Sequence, residues 1–447
     1  MITYSIIQKS QLEGAHRLDA EYYQPKYLEL AETLQTAPRV ADLTSDIRYG
    51  LYVEPEYKKA GVDFIRALNL LNFWIDGEIL KIDKSKAPQT YYLKTADSLI
   101  VRSGANTGSV ALVNPRFSGA TFGSYTIRLR FTKINPFFAT VFLNTKFGVL
   151  QTQRLQTGMA QPNLNIPNIK EIKIPVVLEK EQKVIENLCL EIDKEREKSE
   201  NFYSQAEDLL LEELGLKDFK VEDKLSYIIN LSEIKSSHRA DAEYWQPKYE
   251  RLLSYLNKKF EIRRLKDLVT MKKGIEPGSD KYQEEGKPFI RVSNLSKFGI
   301  NDNDQKYLAD DFYQELIRDY QPKTGEILLS KDASPGVAYA VEEPIEAIVA
   351  GGILRLKVKV ELEPEYLALV INSLIGQYQM EQDTGGSVIV HWRPEQIRNM
   401  CIPIIEKPTQ QKIADLVHQS HEARKKAKQL LGEAKHKVED AILGEAS

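Results

Sequence analysis

Twelve residues near the start of the chain, His16–Tyr27 (HRLDAEYYQPKY), return as His238–Tyr249 (HRADAEYWQPKY), ten of twelve identical at a shift of 222. A fold for this chain must therefore be one unit built twice. The register continues: Phe64–Leu70 (FIRALNL) returns as Phe289–Leu295 (FIRVSNL) at 225, and Asn135, Asn144 and Gly148 answer Glu363, Asn372 and Gly376 at 228. Pro175 answers Pro403, and the helix start Glu181–Ile185 answers Gln410–Ala414 at 229. A period this long marks a duplicated domain and not a solenoid.

With 447 residues and 42% apolar content, the chain can bury two ordinary cores. The boundaries expected are a first domain over 1–177, a central long helix within 178–222, a second domain over 223–405 and a C-terminal long helix over 406–447. Each domain opens on a helix-prone segment and continues as strands with period-two alternation, such as Ser124–Phe131 and Gly352–Val360. A helix then starts at Asn135 or Glu363 with proline in its first turn. The fold class is α+β: two tandem homologous mixed α/β domains, each followed by a long helix. The stripe Ile185, Leu188, Ile192, Phe202, Ala206 and Leu209 is interrupted at Glu195 and Ser199. The second stripe, Ile413, Leu416, Ala423, Ala427, Leu430 and Ala434, is interrupted at Ser420. One stripe is large and one small, which suits the two helices to pairing with each other.

No apolar run approaches the roughly 18 residues a bilayer requires, and the first residues lack a signal-peptide layout. Cys189 and Cys401 are the two cysteines, one in each half, which points away from disulfide or cysteine–metal frameworks. These features predict a soluble, cytoplasmic chain. Net charge is −3, yet residues 39–177 hold 18 Lys and Arg against 10 Asp and Glu, and residues 261–405 hold 18 against 23. The first half suits phosphate contact, and the acidic second half needs a local patch or a partner.

Enzyme signatures are missing. No glycine-rich loop ends in Lys-Ser/Thr, the six histidines lack metal-ligand spacing, and Asn135–Phe138 (NPFF) falls one proline short of the base-holding loop of amino-methyltransferases. No catalytic residue, metal or cofactor is expected. The informative residues are polar and cationic loops beside strands, the type that contacts base edges and phosphates. In the first half these are Arg48, Tyr49, Lys58, Lys59, Asn69, Arg102, Asn106, Thr107, Gln161, Asn163 and Asn165. In the second they are Lys272, Lys273, Asn294, Lys331, Ser334, Ser387, His391 and Arg393. Strand frames agree between the halves while loop tips diverge, as expected of one scaffold reading two sequences. The repeated arginines Arg66 and Arg291, and the His-Arg-x-Asp-Ala-Glu-Tyr motif, are expected to serve scaffold or a shared partner.

The chain as a whole resembles the specificity subunit of type I restriction-modification systems. The residues that carry the likeness are Asp19–Pro25 (DAEYYQP), Asp241–Pro247 (DAEYWQP), Ile174-Pro175 before Glu181–Ile185, and Ile402-Pro403 before Gln411–Ile413. The second half has Gln410-Gln411 where the family usually has Glu-Gln, a departure confined to local capping. The resemblance implies a DNA-reading subunit with one half-site per domain, the domains held apart by the two long helices pairing as an antiparallel coiled coil. It also implies double-stranded DNA, two methyltransferase subunits and restriction/translocase subunits as partners. A helix of about 35 residues spans about 50 Å, or about 15 base pairs. The alternatives are a free-standing phage-defence or regulatory DNA-binding protein, and a protein-binding scaffold without DNA contact.

Overall fold

The computed structural model describes residues 4–10, 12, 17–52, 56–104, 106–158, 162–220, 226–302, 304–384 and 390–444. It divides into two compact units, residues 1–194 with 426–447, and residues 195–425.

The first unit is built on an antiparallel four-stranded sheet in the order Thr44–Tyr49, Thr126–Phe131, Ser98–Val101, Val110–Leu112. Apolar residues face the core from both central strands, where Leu99, Ile100, Ile127 and Leu129 are fully buried. A second, three-stranded sheet runs Leu80–Ile82, Val62–Ile65, Thr121–Phe122. Two helices, Pro136–Leu143 and Lys146–Leu155, follow the main sheet.

The second unit repeats this plan. Its four-stranded sheet runs Val269–Lys273, Ile353–Val358, Glu326–Ser330, Ala338–Ala340. The three-stranded sheet runs Lys306–Leu308, Lys287–Ile290, Ile348–Val349. Its helices are Pro364–Asn372 and Leu374–Thr384. Two additions distinguish it: an amphipathic helix, Asp310–Tyr320, where the first unit has short 3-10 turns, and a strand pair Glu261–Arg264 with Cys401–Ile404 where the first has the single bridge Arg39–Lys173.

The residues repeated in sequence turn out to fix this frame. Asn144 donates to Val110 O and Asn372 donates to Ala338 O, each tying the first helix of the pair to the outermost strand of the main sheet. At Gly148 an added Cβ would lie 2.4 Å from Leu143 Cα, and at Gly376 it would lie 2.1 Å from Ile371 O, so both helix corners require the close approach that only glycine permits. Asn135 caps its helix by accepting from Phe137 and Phe138 N–H, and its NPFF segment is a helix start.

The opening motif has an equally local explanation. Arg17 pairs with Asp19, and its Nη1 donates to the carbonyls of Arg154 and Gln156 at the end of the helix Lys146–Leu155. Arg239 pairs with Asp241 at 2.6 Å, and its Nη1 donates to Asp383 O at the end of Leu374–Thr384. Helix C-termini leave carbonyls unpaired and favour cations, so the motif clamps each helix at the point where the next loop departs. His16 lies outside the described residues.

The two long helices, Glu179–Glu213 and Lys407–Leu443, run through both units. In the first unit Ile185, Cys189 and Ile192 share a core with Ala427, Leu431, Ala434 and Val438. In the second, Tyr203, Ala206 and Leu210 share one with Ile413 and Val417. Each half of one helix thus packs on the opposite half of the other, an antiparallel arrangement. The buried stripe differs by one position from expectation in several turns: Cys189, Tyr203, Leu210, Val417 and Leu431 are buried where Leu188, Phe202, Leu209, Leu416 and Leu430 were expected, and those five are only partly covered. A seam wider than a strict heptad stripe accommodates both sets. The expected interruptions meet each other, for Ser420 Oγ donates to Ser199 O at 2.7 Å and lies 3.1 Å from Ser199 Oγ.

Candidate nucleic-acid interface

In each unit the chain brings several of its candidate readers to one end of the four-stranded sheet. Tyr49 ends the first strand, Arg102 follows Val101, and Tyr125 precedes Thr126, so antiparallel pairing places all three at the same edge. The loop before the helix Ile166–Lys170 closes over this edge: Leu164 N–H donates to Arg102 O at 2.7 Å, and Asn163 bridges to Ser103. The Arg102 guanidinium carbon lies 4.7 Å from the centroid of the Tyr49 ring, which fixes the plane of its donor fork. Its Nε is buried without an acceptor among the described residues.

Several expected readers are spent on this scaffold. Tyr49 OH accepts from Ile166 N–H. Thr107 donates to Gly104 O and Pro162 O, and the Asn165 side chain caps the following helix by accepting from Asn168 N–H. That leaves Arg102, Asn106 and Asn163 partly exposed at the edge; Tyr52, three residues past Tyr49, is 88% exposed, and Tyr125, just before Thr126, is 62% exposed. Tyr125 escaped the sequence reading because it fell inside the alternating strand expected over Ser124–Phe131.

Other expected readers lie elsewhere. Asn69 and Asn294 are fully buried, a correction to their expected exposure. Asn69 Oδ1 accepts from Arg66 N–H, and its Nδ2 donates to Asp76 O and Glu78 O; Asn294 Oδ1 accepts from Arg291 N–H in the same way. A buried amide must satisfy both its donor and its acceptor, and backbone does so here. The Phe-Ile-Arg motif is thus a hairpin lock, with Arg66 also donating to Glu78 O and Arg291 pairing with Asp304. Lys58 bridges to Lys81 on the small sheet, and Lys59 follows it in a bend. Arg48 is half-buried beside Asp46. Gln161 and Ser387 lie outside the described residues.

The second unit assembles the same edge from other chemistry. Lys331 follows Ser330, its N–H donates to Gly352 O as Arg102 N–H does to Tyr125 O, and Trp392 N–H donates to Lys331 O at 2.7 Å. By strand register Lys272 pairs with Arg355 as Arg48 pairs with Arg128, which aligns Lys273 with Tyr49. Both lysines are exposed. Asp332 bridges to His391 as Ser103 does to Asn163, and its carboxylate pairs with His391 Nδ1 at 2.8 Å and with Lys331. Ser334 is exposed in the turn, and Arg393 is exposed at the start of the helix Pro394–Arg398. Burial pushes the Asp332 carboxyl up, but the hydrogen bonds from His391 and Lys331 together prevail and hold it below the usual carboxylate range. Among the described residues no group of three side chains could hold a metal ion, and no helix is long and apolar enough to cross a membrane.

Two edges of one design with different side chains suit recognition of two different sequences. Residues 51–200 and 257–431, well over half the chain, match the family described as type I restriction modification DNA specificity domain. The chain belongs to this family. The second matched segment covers its whole main sheet and the first covers all of its own but the strand Thr44–Tyr49, so the specificity domain occurs twice. Among solved structures the chain is similar to the S subunit of a type I restriction-modification system from M. genitalium, at 15% identity over 91% of this chain and 94% of that one, with a TM-score of 0.38. It is also similar to the HsdS subunit from Thermoanaerobacter tengcongensis, at 14% identity over 91% and 96%, with a TM-score of 0.30. Among curated proteins no sequence matches.

Proposed function

We propose that this chain is the DNA-specificity subunit of a type I restriction-modification complex and reads a bipartite, asymmetric site, one half-site per specificity domain. The observation that carries the reading is the pair of sheet edges, alike in backbone and different in side chains. Arg102, Asn106 and Asn163 test base edges in one half-site; Lys331, His391 and Arg393 do so in the other. Lys58, Lys59, Lys272 and Lys273 contact phosphates and set register. The long helices pair as an antiparallel coiled coil, set the gap between half-sites and dock two methyltransferase subunits, to which restriction subunits are added. Catalysis and cofactor belong to those partners.

The test is co-expression with the neighbouring methyltransferase gene, followed by sequencing of host DNA for methylated adenines. A single split motif is expected. Replacing residues 39–177 by the corresponding segment of another specificity subunit should change one half-site and leave the other intact. An intact complex that methylates nothing would overturn the reading in favour of a scaffold that does not touch DNA.

A further inference from the structure

The second unit's edge carries a carboxylate where the first carries a hydroxyl. Asp332 and Ser103 occupy the same place, one residue past the equivalent cations Lys331 and Arg102 and bridged to the same loop. The Asp332 side chain is 25% exposed and His391 is 61% exposed, so the pair lies at the surface. A Cβ on Gly352 would lie 3.5 Å from Asp332 Oδ2 and 2.8 Å from Val292 Cγ2. Glycine therefore leaves the carboxylate uncovered on the side where the first unit carries Tyr125.

An anion on a phosphate-facing surface is repelled by the duplex, so it belongs only where a donor meets it. The donors that base edges offer in the major groove are the exocyclic amines, N4 of cytosine and N6 of adenine. An ionised carboxylate has about four acceptor positions, and Lys331 and His391 engage one oxygen each. Capacity for a further donor remains, and the two neighbours fix where it points.

Resting on the reading of this chain as a two-part DNA reader, we propose that Asp332 accepts a hydrogen bond from the exocyclic amine of a cytosine or adenine in the half-site read by the second unit. Lys331 and His391 position the carboxylate. The second half-site then contains one position at which an amine-bearing base is required, and the first unit, with Ser103 there, imposes no such requirement through this place.

The full chain, co-expressed with its methyltransferase, would be compared with the Asp332→Asn and Asp332→Ala variants by methylome sequencing. Binding would be measured to duplexes carrying each of the four bases at every position of the second half-site. The wild type should favour cytosine or adenine at one position by about 10- to 100-fold, and which of the two it favours names the amine. Asp332→Ala should lose that preference, with any other change confined to the positions that Lys331 and His391 contact and the first half-site intact. Asp332→Asn, which keeps one acceptor oxygen and puts an N–H donor in place of the other, should relax it. An unchanged motif in both variants, or equal weakening on all duplexes, would overturn the inference while leaving the split motif intact. A wild-type complex with no split motif would instead overturn the reading beneath it.

Discussion

The two units solve one packing problem with different partners. Arg128 and Arg355 hold the same register position in the main sheet and both are buried. Arg128 pairs with Asp46 on the neighbouring edge strand and donates to the carbonyls of Thr90 and Tyr92. Arg355 turns to Glu326 on the opposite neighbour, with both Arg355 nitrogens within 2.9 Å of its carboxylate, and donates to Asp319 O at the end of the added helix. In both cases a buried guanidinium caps the segment that leads back into the sheet. The frame needs a buried cation matched by carbonyls and one carboxylate, and it accepts that carboxylate from either side. Sequence similarity fades at such positions because the requirement is for charge balance at a place in space, not for a residue at a place in the chain.

The sharpest way to break this comparison is to remove the cation. Arg355→Met leaves Glu326 buried and unpaired and should cost about 3–5 kcal/mol in urea unfolding. Arg128→Met should cost less, because Asp46 is 25% exposed and water can take over part of the lost pairing. Equal losses would show that the two units do not differ in how they shield the carboxylate.

Next in size are the hairpin locks. Asn69→Ala and Asn294→Ala should each cost about 1–3 kcal/mol, since backbone groups lose buried partners, and neither should alter the methylated motif. A changed base at either half-site would restore these residues as readers.

The edge residues come third. Arg102→Ala should weaken binding by about 1–3 kcal/mol at one base of the first half-site only. Lys58→Ala should weaken all sequences alike and lower the salt dependence by about one phosphate contact. A sequence-dependent effect of Lys58→Ala would move that lysine from phosphate contact to base reading.

The smallest effect concerns Glu365, whose carboxyl is raised by burial, with Glu342 and Glu363 adding to it. Below the ordinary glutamate range both folded and unfolded states are protonated and nothing is lost. As pH rises through that range the unfolded chain ionises first, so the native state loses stability until its own raised value is passed. Glu365→Gln should therefore melt with the wild type near pH 4 and above it at pH 7. The first unit has Phe137 at this place, between Pro136 and Phe138, and should show no counterpart.

The duplication, the mixed α/β class, the long helices and the family were legible in the chain, because identities at a fixed shift and heptad spacing are properties of the sequence itself. The helix Asp310–Tyr320 was not read, although its apolar residues Tyr313, Leu316 and Ile317 recur at helical spacing within an acidic stretch. For the interface, the chain identified polar loops but could not sort them. Asn69 and Asn163 are both asparagines in loops beside strands; one is consumed by three backbone groups and the other lies partly exposed at a sheet edge. Asp332 shows the same limit, since its meaning comes from Gly352 and His391, 20 and 59 residues away. Periodicity and repetition are local or translational, so the sequence carries them alone. Which polar group is satisfied and which is left to meet a ligand depends on contacts between distant segments, and those exist only once the sheet has closed.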